Sequence, residues 1–290
     1  MDVELIRIAV ALIGTSIAAY FDLFKNRNVP TKFSYSLIAV ALILNILSLD
    51  VGFLVSRLEL AGLIFVLGYL IYRMGQIGGA DVLLFVALAL LLPDSPPSLL
   101  KPESLLFEYP IMLSVFLLSG MLAIFGIFLK YMPMVLFDMI RGEKVRVNAL
   151  QLFLSVAVAF AYVLLINTVN SFFQLSAIAI IAIIFIAASS LLLSIFREHI
   201  ADKYMIRYVG IKAIDEEDVL ALEKLDADIV KRFNLKRVLT EKEIEKLKKI
   251  KRIRKFPVYK NMPVFIPYIL IALILILIFG NPMGYIFELG

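Results

Sequence analysis

Residues 78–93 read Gly-Gly-Ala-Asp-Val-Leu-Leu-Phe-Val-Ala-Leu-Ala-Leu-Leu-Leu-Pro, an acid set behind two glycines and ahead of an unbroken apolar run. Asp81 is followed by 11 apolar residues, Val82 to Leu92, before Pro93 stops them. At ~1.5 Å of rise per residue such a helix covers roughly 16–17 Å, against a hydrocarbon core of ~30 Å. The run therefore spans a bilayer only if Gly78–Asp81 itself lies at membrane depth. Irregular backbone at that depth must be enclosed by protein or face a water-filled cavity. Gly78 and Gly79 suit such a place, because without Cβ they permit close backbone approach and unusual dihedrals beside the acid.

The rest of the chain agrees with a membrane setting. Of 290 residues, 62% are hydrophobic and 18% charged, where soluble domains average ~45–50% and ~25%. Seven further windows are apolar enough to join residues 76–93 as candidate spans: 4–21, 33–50, 55–72, 110–130, 150–168, 172–196 and 264–280. The first does not read as a secretory signal, since Asp2 and Glu4 precede it and no small-residue cleavage site follows before Asp22. No internal repeat of the kind that builds many transporters is visible. The pattern predicts an all-α polytopic membrane protein of about eight transmembrane helices. Residues 1–196 form a transmembrane body, 197–262 a small helical lobe, and 263–290 a final span with a short tail.

Charge sets the expected orientation. Residues 197–262 hold 18 Lys and Arg against 12 Asp and Glu, while the remainder of the chain sums to −1. With the N-terminus outside and the spans alternating, 26 basic residues fall on inner segments, and only Arg7, Arg57 and Lys101 do not. The lobe is then cytoplasmic, and its basic character fits a partner in anionic lipid rather than nucleic acid. Within it, Thr240 and Glu243 have the spacing of a capping box ahead of Ile244, Leu247 and Ile250. Asp215-Glu216-Glu217-Asp218 is expected to open another short helix. About 60 residues make a marginal independent fold, so the lobe should lean on the membrane body.

Several chemistries are excluded. The chain has no Cys and a single His, His199, which removes thiol nucleophiles, disulfides, Cys-ligated metals and His-rich metal sites. No glycine-rich cofactor pattern is present, so neither cofactor nor metal is expected. Among charged residues near the membrane, Arg7, Arg57 and Glu59 are explained by snorkelling or mutual proximity, Asp138 by an interfacial position, and His199 by a helix C-terminus. Asp22 and Asp81 remain. Alone, the first reads as a solvated loop acid and the second as a helix N-cap. Two spans separate them, so both lie at the same inner face. Two carboxylates facing one cavity can share a proton, one neutral and one charged.

Asp22 followed by Arg27, Val29 and Pro30, together with Gly78-Gly79-Ala80-Asp81, resembles the archaeal preflagellin and type IV prepilin peptidases, membrane aspartyl proteases of the GxGD type. The run Ala87–Pro93 and the segment from Leu239-Thr240 to Ile266-Pro267 are similar to that family as well. The resemblance implies that Asp22 and Asp81 are the catalytic pair, with Gly78, Gly79, Ala80, Arg27 and Pro30 as motif support. It implies precursor proteins with a short basic leader ahead of a hydrophobic helix, such as archaellins and pilins, cleaved at the cytoplasmic face of the cell membrane. Thr31 stands where many relatives have Asn, and Leu83 and Leu84 where they have a polar residue or Lys, departures that bear on substrate contacts. The missing Cys sets the chain apart from relatives with a zinc-binding loop. An ion-coupled transporter using the same acids, or a non-catalytic membrane scaffold, would be the alternatives. The sequence sets no oligomeric state.

Overall fold

A computed structural model describes residues 3–25, 29–48, 50–93, 110–147, 149–172, 175–250 and 253–280. Seven helices form the membrane body: α1 (Val3–Phe24), α2 (Thr31–Leu47), α3 (Val51–Arg73), α4 (Gly79–Leu91), α5 (Ile111–Ile140), α6 (Ala149–Phe172) and α7 (Ala177–Ile195). The lobe adds α8 (Arg197–Ile200), α9 (Ala227–Phe233) and α10 (Glu241–Lys249), and α11 (Ile266–Phe279) returns to the body. Each apolar window has become one helix, because in lipid a segment must satisfy its own backbone hydrogen bonds. Helices α1, α3, α5 and α6 are long and apolar enough to cross a bilayer. A fifth crossing results if α7 and its continuation Arg197–Met205, bent by 66°, act as one. The eight expected crossings thus divide into four helices of spanning length, α7 with its bent continuation, and three shorter ones, α2, α4 and α11, of 17, 13 and 14 residues.

Helix α4 is the hub. It packs on α2, α3, α1 and α5, and nine of its residues are buried, Asp81, Leu84, Phe85 and Ala87 to Leu91 among them. A helix that is apolar all round belongs in an interior. Lipid tails are as apolar as Leu, so helices in a bilayer associate through close packing, often at small residues. A Cβ on Gly68 of α3 would lie 2.9 Å from Val82 Cγ1, and one on Gly126 of α5 only 2.0 Å from Tyr268 Oη of α11. Both glycines let a neighbouring side chain reach the helix backbone. Far from the lobe, Arg7 and Arg57 take a different course from snorkelling: both are buried, with guanidinium carbons 4.4 and 4.6 Å from the Phe53 ring centroid. Arg7 Nη2 also donates to Leu44 O at 3.2 Å.

The lobe differs from its expected helical form. A two-stranded antiparallel sheet, β1 (Ile206–Val209) with β2 (Phe256–Tyr259), joins its two ends in the register Ile206 opposite Tyr259. Leu220, Leu239, Leu247, Phe256 and Val258 form its core. Thr240 does cap α10 by position, but its side chain makes no capping bond. Glu243 is drawn elsewhere, accepting from Lys236 N at 3.3 Å and Lys246 Nζ at 2.8 Å. The run 215–218 makes a turn and not a helix: Asp218 Oδ2 accepts from Asp215 N at 2.8 Å, and Lys260 Nζ pairs with both acids. Ladder-like bonds, Glu217 N to Leu239 O and Leu239 N to Asp218 O, hold this segment extended against its neighbour.

The lobe leans on the body through a polar cluster. Asp138, buried near the end of α5, meets His199 Nε2 at 2.8 Å and Lys203 Nζ at 2.6 Å, and accepts from Tyr204 Oη. Lys203 also pairs with Glu143. His199 and Asp138, expected at a helix terminus and at the interface respectively, are each other's partners.

Candidate active site

Asp22 lies in the last turn of α1 and is buried. Its Oδ2 accepts from the backbone N–H of Ile266, the first residue of α11, at 3.2 Å. The first N–H groups of a helix have no intrahelical partner and carry the positive end of its dipole, so a carboxylate suits that position. Asp81, also buried, sits in the first turn of α4, and its Oδ2 accepts from Gly78 N at 2.8 Å. Its Oδ1 makes no hydrogen bond among the described residues. Helices α1 and α4 pack together, and the charge of Asp22 acts on Asp81. The structure thus brings the two motif acids into one electrostatic neighbourhood, each oriented by a backbone donor at a helix start.

The supporting residues divide. Pro30 caps α2 with φ −59°, and Val29 before it is buried in the core. Arg27 lies outside the described residues. Gly78 has φ −76° and ψ 157°, dihedrals open to any residue, so the expected unusual backbone is not at the acid. It lies instead at Gly75, whose φ of +71° closes α3 beneath Arg237 of the lobe. Close approach is the real function of Gly79, where a Cβ would stand 3.2 Å from Glu217 Oε1. Ala80 packs on the hydrophobic core.

Glu217 is the residue that sequence reasoning missed, having been assigned to a helix start. It comes from the lobe, reaches over Gly79 and acts electrostatically on Asp81 and Tyr72. Its φ of 66° places it in a region that costs a non-glycine residue on the order of 1–3 kcal/mol. With Val29, Thr31, Tyr35, Phe65, Tyr69, Tyr72, Gly79, Ala80, Val82 and Leu83 it lines a cleft of ≈ 220 Å³. No local pattern flags it, since only the tertiary fold carries the lobe to α4. Among the described residues no group of three or more acids and histidines is arranged to hold a metal ion.

Residues 9–137, from α1 to near the end of α5 and including both acids, match the type IV leader peptidase family. The match takes in α1 to α4 and most of α5, a little under half of the chain. The chain is also similar to a prepilin peptidase, EppA, of the archaeon Methanothermobacter thermautotrophicus, at 30% identity over 147 residues. That alignment takes in 47% of this chain and 37% of the relative, so the chain spans a little over a third of the curated protein it matches. No solved structure matches it. Helices α6 and α7 and the lobe lie beyond the matched leader peptidase residues.

Proposed function

We propose that this protein is an aspartic endopeptidase that removes short leaders from membrane-borne precursors. Its substrates on this reading are archaellin- or pilin-like chains with a basic leader ahead of a hydrophobic helix, cut where leader meets helix. The site faces the cytoplasm, with both termini outside and the basic lobe at the inner surface, as the distribution of Lys and Arg favours. One observation carries the proposal: the two acids of the leader peptidase segment are buried on adjoining helices and interact, each fixed by a backbone N–H.

The chemistry follows from two carboxyls that hold one proton between them. The ionised member takes a proton from water as its oxygen bonds to the scissile carbonyl carbon. The protonated member donates to the carbonyl oxygen. Collapse of the tetrahedral diol breaks the C–N bond, and the proton taken from water passes to the leaving amine. The singly protonated pair is the active form, so activity follows a bell-shaped pH profile whose limbs belong to the pair and not to either residue.

Purified Asp22→Asn and Asp81→Asn proteins, assayed in detergent on a panel of leader-bearing precursors, test this directly. Each should lose cleavage by at least about 10²–10⁴-fold, and the double variant should be little worse than either one. Near-normal cleavage by either single variant would break the pair and the assignment with it.

A further inference from the structure

The cleft beside Asp81 is built unlike the rest of the membrane body. Helices α2 and α3 each pack closely on α4 and only slightly on each other, so the cleft opens sideways between them. Its walls are aromatic: Tyr35 from α2, and Phe65, Tyr69 and Tyr72 from α3. Tyr35 is 59% exposed and Tyr69 44%, so the mouth is accessible from outside the helix bundle. Glu217 of the lobe also lines it, its carboxylate standing over Gly79.

Three tyrosines, a phenylalanine and a carboxylate around one small cavity are the components of a cation site. Ring faces attract ammonium and guanidinium groups, and more strongly where water is partly excluded. A carboxylate in the lining supplies the opposite charge. Glu217 is available for this, because among the described residues its side chain has no ion-pair partner. The nearest basic side chain on the same helix, Arg73, is engaged at the rim, with Nη1 3.4 Å from Tyr69 Oη and its guanidinium 5.9 Å from that ring. Drug-sized ligands take roughly 300–1,000 Å³, so ≈ 220 Å³ is suited to a single side chain. The backbone of Glu217 is strained, φ 66°, at the one position where its side chain reaches Gly79.

We infer that this cleft is a subsite for one lysine or arginine side chain of the substrate, gripped between the tyrosine rings and the Glu217 carboxylate. The inference rests on the leader peptidase reading for its substrate and adds to it a specificity-determining residue from the lobe. The lobe would then select precursors by charge, while α1 and α4 supply the reacting groups. The lateral mouth lets the hydrophobic part of a precursor stay in the lipid while its cationic residue enters.

The test uses the full chain in a detergent free of amine-bearing lipids, which removes headgroup ammonium as a competing occupant. Substrates are synthetic precursors differing only in the residues ahead of the scissile bond: Lys, Arg, Gln or Glu. Wild type should favour Lys or Arg over Gln by about tenfold in kcat/KM, mostly through KM. Glu217→Gln should bring that ratio close to one, and Glu217→Lys should move the preference to the Glu-bearing substrate. An unchanged Lys-to-Gln ratio in Glu217→Gln would overturn the inference and leave the peptidase reading standing. Binding of the same peptides to Asp81→Asn, by fluorescence anisotropy, supplies a readout without cleavage. If wild type cuts nothing while binding still depends on substrate charge and on Glu217, the subsite stands and the peptidase reading falls. Absence of both binding and cleavage would remove the two together.

Discussion

Helices α4 and α6 are both strongly apolar, and their surroundings are opposite. In α4, nine of 13 residues are buried by protein, and no large hydrophobic side chain is exposed. In α6, only 6% of the apolar window is buried, and Leu150, Phe153, Val156, Phe160 and Leu164 face outward. Hydropathy is satisfied equally by a packed interior and by lipid, so it marks the membrane without saying which neighbour a helix has. What separates the two is the set of neighbours: α4 packs on α1, α2, α3 and α5, and α6 mainly on α7. Helix α4 meets Gly68 of α3 at Val82, whereas α6 leaves bulky groups such as Leu150, Phe153 and Phe160 exposed. The residues matched to the leader peptidase family stop before α6.

Truncation measures this contrast most directly. Leu88→Ala and Leu91→Ala, both at 0% exposure, should each cost about 2–5 kcal/mol through lost contact and the cavity left behind. Phe160→Ala, at 64% exposure, should stay within about 0.5 kcal/mol, since detergent or lipid refills its place. Unfolding in one detergent compares all three, and equal losses would erase the distinction between the helices. A smaller effect is expected where α7 leads into the lobe. Asp138→Asn weakens three contacts of a buried carboxylate, with His199, Lys203 and Tyr204, and should cost about 1–3 kcal/mol. Faster trypsin cleavage within residues 197–262 would report it. His199→Ala should act in the same sense and keep most leader cleavage; a loss like that of Asp81→Asn would give the lobe a share in the chemistry.

The smallest effect concerns Glu217 and pH. Burial against the membrane body, with the charge of Glu216 beside it, raises the Glu217 carboxyl above its ordinary range. The folded protein then binds that proton more tightly than the unfolded chain, so ionisation lowers stability as pH climbs from about 4.3 through the raised value. Melting of Glu217→Gln and wild type should therefore coincide near pH 4, with the variant slightly higher at pH 7. A variant that melts lower at pH 7 would mean the charge is stabilised in place. In the expected direction, Glu217 is kept at some loss of stability, as residues retained for function often are.

The fold was legible in the sequence where the bilayer dictates it. Each apolar window formed one helix because lipid offers a backbone no other partner. Legibility failed where water does, as in the lobe. The carboxylate of Glu243, spaced for a capping box, serves Lys236 and Lys246 instead, and the acids of 215–218 make a turn around Lys260. There local rules compete with tertiary partners of similar strength. At the candidate site, Asp22 and Asp81 could be picked out by residue type and motif. Neither the N–H of Ile266 nor the carboxylate of Glu217 could, because each arrives from a distant segment.

The bond from Ile266 to Asp22 joins residues 244 positions apart. Chains grow at ~5–20 residues per second, so on the order of 10–50 s separate the synthesis of the first acid from that of its backbone donor. Throughout that interval α1 and α4 are made while α11 is still to come. The site is therefore complete only after residue 266 has left the ribosome and α11 has docked, so on the proposed peptidase reading a half-built chain lacks the arrangement with which it would attack its neighbours at the site of insertion.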